Sequence, residues 1–401
     1  MSIKRPFKLL SLVEATTITG PMKPLLMFAK FARDNPDALS GIRHTIVTTV
    51  RGGVPNGNGG AKTNAFISAA RAAGLEVDVV DERRALDPAV LGQMAEYLRR
   101  RSPDIVETHD FKSHFLMWLL RRRRDLPEFR WVAFHHGYTR MSWRVRAYQQ
   151  LDRLSLPNAD RVITVCKPFV VDLVRRGVDG ARISVIENAV EGREKIPAAE
   201  GLELRRALGL RQDSLVVLSV GRLSKEKGHP ELLLAFRQLL RDGQAQPVQL
   251  LIVGDGGEAN VLREAAADLK GQVIFTGHQP DPWPFFSLAD IFVLPSHTEG
   301  SPLVLFEAMN AGLPILASAV GGIPEVVQDH HSALLIRPRS AQRIAAGLQR
   351  LISDPSRRHA LGAQARLAAA HHGPDRYVGH LLEIYRGLLP EAGRPATRRA
   401  G

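Results

Sequence analysis

Leu215-Val216-Val217-Leu218-Ser219-Val220-Gly221-Arg222-Leu223-Ser224-Lys225-Glu226-Lys227-Gly228 runs directly into a helical pattern over His229–Arg241. Apolar residues at consecutive positions mark a strand covered on both faces, as in a parallel sheet. Gly221 then lets the backbone turn tightly at the strand's C-terminal end. Strand, glycine turn and helix together make half of a crossover unit, the building block of α/β folds. Outward from here the alternation continues. Strands are predicted at Val248–Val253, Val273–Thr276, Ile291–Leu294, Pro314–Ser318 and Ala333–Ile336, separated by helical patterns such as Glu258–Leu269 and Pro302–Ala311. Three further helical stretches reach about Leu389.

Upstream the same grammar gives strands at Lys8–Val13, Thr45–Val50, Glu76–Asp81, Ile105–His109, Trp131–His135, Arg161–Cys166 and Ile183–Ile186. Between Asn188 and Asp213 the strand character lapses, which places a boundary there. The 401 residues suit two domains, each large enough to bury a core. The expected division is a first domain over 1–190, a second over 191–375, and a helix over 376–401 that packs back on the first domain and ends in a frayed tail. The expected fold class is α/β, with two Rossmann-like doubly wound domains facing across a cleft. Open α/β sheets bind ligands beyond their strands' C-terminal ends. That architecture by itself serves many chemistries.

Composition narrows the classes. There is no apolar run long enough to span a bilayer, and the apolar stretch Leu9–Val13 behind Lys4 and Arg5 breaks at Glu14, so no secretory signal is expected. The one cysteine, Cys166, sits in a strand-like run and reads as core filler; it fits a reducing compartment and a cytoplasmic location. The net charge of +13 is lopsided: residues 1–200 hold 32 Lys+Arg against 22 Asp+Glu, the remainder 22 against 19. Arg99-Arg100-Arg101 and Arg121-Arg122-Arg123-Arg124 concentrate it. Two readings stand for these clusters: an anion-attracting surface suited to a peripheral membrane contact, or solvated basic helix ends. Neither cluster is interleaved with aromatics, which argues against nucleic acid.

Several motifs fail on spacing. Gly57-Asn58-Gly59-Gly60-Ala61-Lys62-Thr63 resembles a phosphate loop, but Ala61 and Asn56 stand where glycines are needed, which leaves a flexible loop whose Lys62 could meet an anion. Gly254-Asp255-Gly256-Gly257 has Ala259 at the third glycine position of a dinucleotide site and reads as a tight strand-to-helix turn. The pairs His135-His136, His330-His331 and His371-His372 point to opposite sides of the chain, and no H-E-x-x-H, C-x-x-C or Asp-x-Asp occurs, so no metal site is expected.

Three elements of the second half converge. Arg222 and Lys227 follow the first strand and suit a diphosphate, one as a planar fork and one as a point charge. Pro295-Ser296-His297-Thr298-Glu299-Gly300-Ser301-Pro302-Leu303 follows the fourth, with Ser301 predicted as helix cap and Pro302 as first helical residue, leaving an N-terminus open to a phosphate. Glu299 and Glu307 flank that helix start; carboxylates accept hydrogen bonds from paired hydroxyls, and the alternative for Glu307, an exposed helix residue, is less natural among the apolar Leu305, Phe306, Ala308 and Met309. Gly321-Gly322-Ile323-Pro324-Glu325 supplies a third glycine turn.

Gly221-Arg222-Leu223-x-x-x-Lys227-Gly228, Val253-Gly254-Asp255-Gly256, the E-x7-E pair Glu299/Glu307 and Gly321-Gly322-Ile323-Pro324-Glu325, in that order, resemble the retaining glycosyltransferases of family 4, with the GT-B fold. The resemblance implies an enzyme of hexosyl-transfer type that moves a sugar from a nucleotide-diphosphate sugar, with retention of anomeric configuration and without metal or cofactor. The acceptor implied is a glycolipid or a polysaccharide or lipopolysaccharide precursor of the cell envelope. It assigns donor binding to Gly221, Arg222, Lys227, Glu299, Gly300, Ser301, Leu303 and Glu307, with Arg222 and Lys227 on the diphosphate, Glu307 on the ribose and Glu299 on the transferred sugar. In the first half, Phe134-His135-His136-Gly137 resembles the family's His-Gly pair near the reacting sugar, which gives His136 a catalytic place beside Glu299, with His135 the competitor. Gly20 is expected to line the diphosphate; Pro21 follows where the family often has a second glycine. Asn188 is expected to mark the interdomain turn. The alternatives are a nucleotide-sugar epimerase or a phosphorylase on the same fold, or a nucleotide-sugar-binding protein without catalysis.

Overall fold

The computed structural model describes residues 7–16, 20, 22–35, 42–51, 63–83, 87–137, 150–243 and 246–389. Lys62 and the rest of the Gly57–Ala61 run, Pro21, and the tail from Pro390 lie outside the described residues. The chain divides into two compact units, one of residues 1–187 with 374–401 and one of residues 188–373.

The first unit is built on a seven-stranded sheet of β1 (Phe7–Val13), β2 (Ile42–Arg51), β3 (Val77–Glu82), β4 (Ile105–Thr108), β5 (Arg130–His135), β6 (Arg161–Thr164) and β7 (Ile183–Val185). Its strand order is β3-β2-β1-β4-β5-β6-β7, with every pairing parallel. The second unit carries β8 (Leu215–Val220), β9 (Val248–Val253), β10 (Val273–Gly277), β11 (Ile291–Leu294), β12 (Ile315–Ser318) and β13 (Leu334–Ile336), ordered β10-β9-β8-β11-β12-β13 and again parallel throughout. Each sheet therefore grows outward in both directions from one point, β1/β4 in the first unit and β8/β11 in the second. Such a reversal leaves a crevice at the strands' C-terminal ends.

The consecutive apolar run Leu215–Val220 behaves as its pattern requires. All six residues of β8 are buried. Val216, Leu218 and Val220 join one core with Phe286, Phe292 and Phe306, while Leu215 and Val217 join another with Phe236, Leu250 and Leu348. The sheet thus has an apolar layer on each face. Burying each such side chain contributes roughly 1.5–3 kcal/mol against leaving it in water. Cys166 is likewise buried.

The helix Pro374–Leu388 belongs to the first unit. Tyr385 is fully buried, edge-on to Phe7 and Phe28, and its hydroxyl donates to Glu107. Arg130 Nε donates to the carbonyl of Leu388 at 3.0 Å, which ties the last helical turn to the start of β5. No described helix is long and apolar enough to cross a membrane.

Candidate active site

The loops beyond β8, β9, β11 and β12 are stitched into one surface by backbone contacts. Gly221 N–H donates to Val253 O at 3.0 Å and Leu223 N–H to Asp255 O at 2.9 Å. His297 N–H reaches Glu226 O at 2.8 Å, and Gly322 N–H reaches Gly300 O at 2.9 Å. Two glycines make this possible. Gly321 has φ +56°, and a Cβ there would lie 1.7 Å from Glu299 O. Gly254 has φ +144°, and its Cβ would lie 1.9 Å from Gly221 O. The Gly254-Asp255-Gly256 turn is therefore explained by packing against the β8 loop.

On this surface β8 contributes cations and β11 a carboxylate. Lys227 Nζ donates to Glu299 Oε1 at 2.7 Å, and Ser296 Oγ donates to the same oxygen at 2.6 Å. Glu299 is only 8% exposed. Arg222 is held more loosely: one guanidinium nitrogen donates to Glu226 Oε1 at 2.8 Å, and the side chain is 46% exposed. Burial pushes the Glu226 carboxyl up, but hydrogen bonds from Ser224 and Arg222 outweigh it and hold the group below its ordinary value. His229, at the start of the helix behind Gly228, is pushed down to about 4 by burial, with the Lys227 charge adding to the effect.

The helix Leu303–Asn310 begins one residue later than its sequence suggests. Pro302, with φ −72° and ψ 120°, takes the capping position, and no side chain caps the helix. Ser301 is not the cap because its hydroxyl is engaged elsewhere: Asn188 N–H donates to Ser301 Oγ at 3.0 Å, and Asn188 Nδ2 donates to Ser301 O at 2.6 Å. The first backbone bond of the turn runs from Leu305 N–H to Pro302 O at 3.0 Å. The N–H groups of Leu303 and Val304 precede it. The Leu303 side chain is buried, so its contribution to a ligand would come from the backbone. Glu307 is half-buried on this helix and adds to the negative field around Arg193, whose guanidinium clamps Asp281 through bonds of 2.7 and 2.9 Å. Gly221, Arg222, Lys227, Glu299, Gly300, Ser301, Leu303 and Glu307 all belong to the second unit, around the C-terminal ends of β8 and β11 and the helix that follows β11.

The residues singled out in the first unit lie at the C-terminal edge of its sheet. Gly20 is an exposed turn residue with open space around its α-carbon. The two adjacent histidines divide. His135 is buried and shares the Thr164 hydroxyl at 3.4 Å. His136 is only partly buried, and its ring lies nearly parallel to Phe134 and His109, with centroids 6.1 and 6.0 Å apart. Burial pushes both imidazoles down to about 3, so both are neutral.

Sequence reasoning missed the polar groups beneath them. Glu107, in the middle of β4, is fully buried and accepts from Ser11 Oγ at 2.6 Å, from the Tyr385 hydroxyl and from His109 Nε2 at 3.3 Å. Burial raises its carboxyl to about 7 and lowers His109 to about 3 and His44 to about 4. His114 goes the other way: burial lowers it, but the Asp152 carboxylate 3.0 Å away outweighs that and raises it. Glu14, Arg51, Glu82 and Lys112 were also missed. The available signal was a charged residue inside or ending an apolar strand run, as in Ile105-Val106-Glu107-Thr108.

The arginine clusters are largely tied down. Arg99 pairs with Glu96 and Asp125, Arg101 with Glu76 and Asp78, Arg121 with Asp160, and Arg123 with Asp125. Arg122 stacks over Trp118 at 3.5 Å. Among the described residues no group of three or more His, Cys, Asp and Glu side chains is gathered as a metal set.

Comparison with known proteins bears on the family and the fold. Residues 202–368 match the family described as glycosyl transferases group 1, and residues 38–189 match the glycosyl transferase 4-like domain. A D-inositol 3-phosphate glycosyltransferase of Corynebacterium urealyticum is 30% identical over 341 residues, spanning 77% of this chain and 78% of that protein. A protein of the same name from Salinispora arenicola is 30% identical over 325 residues, spanning 74% and 71%. Among solved structures, Anabaena Alr3699/HepE in complex with UDP-glucose superposes with a TM-score of 0.77 at 21% identity, covering 95% of this chain and 100% of that one. The apo lipopolysaccharide outer core galactosyltransferase WaaB gives 0.68 at 18% identity, covering 95% and 100%. At such identities the structures speak for the fold.

Proposed function

The chain belongs to the family 4 glycosyltransferases of GT-B fold, enzymes that use nucleotide sugars, and on that premise we propose that it transfers a hexosyl group from a nucleoside-diphosphate sugar to a glycolipid or polysaccharide precursor with retention of configuration and without metal. The observation that carries the reading is the pairing of Lys227 with Glu299 across the β8/β11 reversal, with Arg222 half-exposed beside it. A diphosphate arriving there offers Lys227 a stronger partner than one carboxylate oxygen. Lys227 then turns to the phosphates, and Glu299, still held by Ser296, is released to accept hydroxyls of the transferred sugar.

Arg222 supplies a planar fork to the phosphate oxygens. The Leu303 and Val304 N–H groups supply the helix N-terminus, and the Ser301 hydroxyl, which already accepts from Asn188, keeps its own proton to donate. These donors are positioned before the substrate arrives, so charge on the leaving diphosphate is stabilised with little reorganisation. Glu307 accepts the ribose hydroxyls, and Gly221 and Gly300 leave room for the backbone to approach. To the first unit the reading gives the acceptor, to His136 a contact with the transferred sugar, and to Gly20 a contact with the diphosphate. The neutral state of His136 suits a hydrogen-bonding role. The UDP and UDP-glucose complexes of Anabaena Alr3699/HepE support a uridine donor as the first to try.

The test is NMR of the product formed from UDP-glucose, and then from other nucleotide sugars, in EDTA with a panel of glycan and glycolipid acceptors. The expected product has the donor's anomeric configuration, at a rate that added magnesium leaves unchanged. An inverted product, or turnover that appears only with magnesium, would contradict the corresponding part of the reading.

A further inference from the structure

The C-terminal edge of the first sheet holds an ion cluster that donor binding leaves unused. Glu14 follows β1, Arg51 ends β2, Glu82 ends β3, and Lys112 stands in the first turn of the helix Phe111–Leu120 behind β4. Lys112 Nζ donates to Glu82 Oε2 at 2.6 Å, to Thr49 Oγ1 at 3.3 Å and to Glu14 Oε1 at 3.3 Å, which engages all three of its protons. Arg51 brings one guanidinium nitrogen to 3.2 Å from Glu82 Oε2 and 3.7 Å from Glu14 Oε1. A third carboxylate, Asp110, accepts from Glu14 N–H at 2.8 Å.

The cluster grades from buried to open. Glu82 is 1% exposed and Lys112 9%, whereas Glu14 is 38% and Arg51 47% exposed. Glu82 Oε1 is buried and has no hydrogen-bond partner. Buried polar atoms are ordinarily satisfied, and a carboxylate oxygen is among the most costly to leave without a donor. An ion cluster serving packing alone would be expected to close that valence. This one keeps it at the edge where open α/β sheets take their ligands.

The hydrogen-bond inventory indicates what the ligand offers. Among the described residues of the cluster three carboxylates face two cations, Lys112 has no proton left, and Glu82 Oε1 requires a donor. The surplus is therefore of acceptors. A phosphate at this edge would meet that surplus with only the outer nitrogens of Arg51 to greet it. A hydroxyl-rich, uncharged group supplies what is missing.

We propose that the ends of β1, β2 and β3 form an acceptor subsite for a neutral polyol, with Glu82 Oε1 accepting its innermost hydroxyl and Glu14 and Arg51 engaging the hydroxyls nearer solvent. The inference rests on the glycosyltransferase reading, since it names the class of acceptor such an enzyme takes. It also separates this chain from the substrate in its relatives' name, D-inositol 3-phosphate, because the subsite favours a hydroxyl where a phosphate would be repelled.

Saturation-transfer NMR on the full chain tests this with three probes, myo-inositol, methyl α-glucoside and glucose 6-phosphate, and a UDP titration of each sample alongside. Wild type should show transfer to the two neutral polyols, and glucose 6-phosphate should fail to displace them. Glu82→Gln should weaken polyol binding by about tenfold, the scale of one charge-assisted hydrogen bond. Glu14→Gln, on the open side, should weaken it by about threefold, and it decides the matter if Glu82→Gln does not fold. Displacement by glucose 6-phosphate, no polyol signal from wild type, or wild-type binding by both variants overturns the subsite. If any of these occurs while UDP still binds, the subsite falls and the donor reading stands. If wild type binds no nucleotide in the titration or in a wider panel, the donor reading falls and the inference falls with it.

Discussion

In the second unit the strand order turns around between β8 and β11, where Arg222 and Lys227 follow one strand and Glu299 the other; in the first it turns around between β1 and β4, where Glu14 follows one strand and Asp110 the other. The backbone device is the same, yet the polar groups are committed differently. Arg222 is half-exposed and tied to a single carboxylate, so a ligand can recruit it at small cost. Lys112 is nearly buried and tied to three acceptors, so it is already committed. A parallel sheet supplies the place for a ligand, and the degree to which its charges are already satisfied decides which ligand it takes.

The largest expected effect separates the two edges directly. Arg222→Ala should lower kcat/KM for transfer by about 10²-fold or more, as expected for removing a preorganised charge from a developing anion. Lys112→Met should leave UDP affinity within about twofold, because its pairing lies wholly in the other unit. A loss of UDP binding in Lys112→Met that exceeds the loss in Arg222→Ala, measured by calorimetry, would reverse the assignment of the two edges.

Acid should expose the next difference. His44, His109, His135 and His136 in the first unit have folded values well below the ordinary 6.5, against His229 alone in the second. In each case the unfolded chain binds a proton below pH 6.5 that the folded chain refuses, so stability falls with pH by up to about 1.4 kcal/mol per unit per group. Four groups oppose this: His114, Glu107 and Glu14 in the first unit and Asp290 in the second, with burial raising the three carboxyls. His114 is raised, so its contribution is full below pH 6.5 and is lost as pH rises through its folded value. Glu107, raised to about 7, contributes fully below its ordinary 4.5 and loses that contribution as pH rises through 7. The depressed imidazoles thus outnumber the opposing groups in the first unit and are matched one to one in the second. Hydrogen exchange at pH 7.5 and 5.5, corrected for intrinsic rates, should show β4 and β5 losing more protection than β8 and β11. Equal losses would mean the first unit's histidines are hydrated.

A pair of glycines gives a smaller contrast. Gly321→Ala places a side chain at φ +56° against the Glu299 carbonyl and should cost roughly 1–3 kcal/mol in thermal unfolding. Gly20→Ala meets nothing within 4 Å and should stay within about 0.5 kcal/mol. A large cost at Gly20 would show that its turn is more tightly built than its surroundings indicate.

Sequence carried most of the fold because its strands are buried on both faces. Leu215–Val220 and Val248–Val253 read as unbroken apolar runs, and the structure bounds them identically. It carried less where a short helix start depended on a distant residue. Ser301-Pro302 has the composition of a cap, but Asn188, more than a hundred positions away, takes the serine. At the β8/β11 edge the glycine turns and charges were legible because they stand together at strand ends. At the other edge Glu82 and Lys112 were not, since a lone carboxylate closing β3 and a lone lysine opening a helix resemble solvated surface until folding brings them to 2.6 Å.

The weakest contrast concerns the basic first unit. With Arg99, Arg101, Arg121 and Arg123 held by carboxylates, attraction to an anionic membrane should be modest and lost by about 0.15 M salt. Pelleting with phosphatidylserine vesicles across a salt series checks this; strong binding at high salt would point to an apolar anchor.

The most direct test of the donor edge is calorimetric titration of the wild type and Arg222→Ala with UDP, GDP, ADP and dTDP in EDTA. The account predicts that one of these binds the wild type without metal and that Arg222→Ala weakens it by tenfold or more. Binding that is unchanged by the substitution, or that appears only when magnesium is restored, would contradict it.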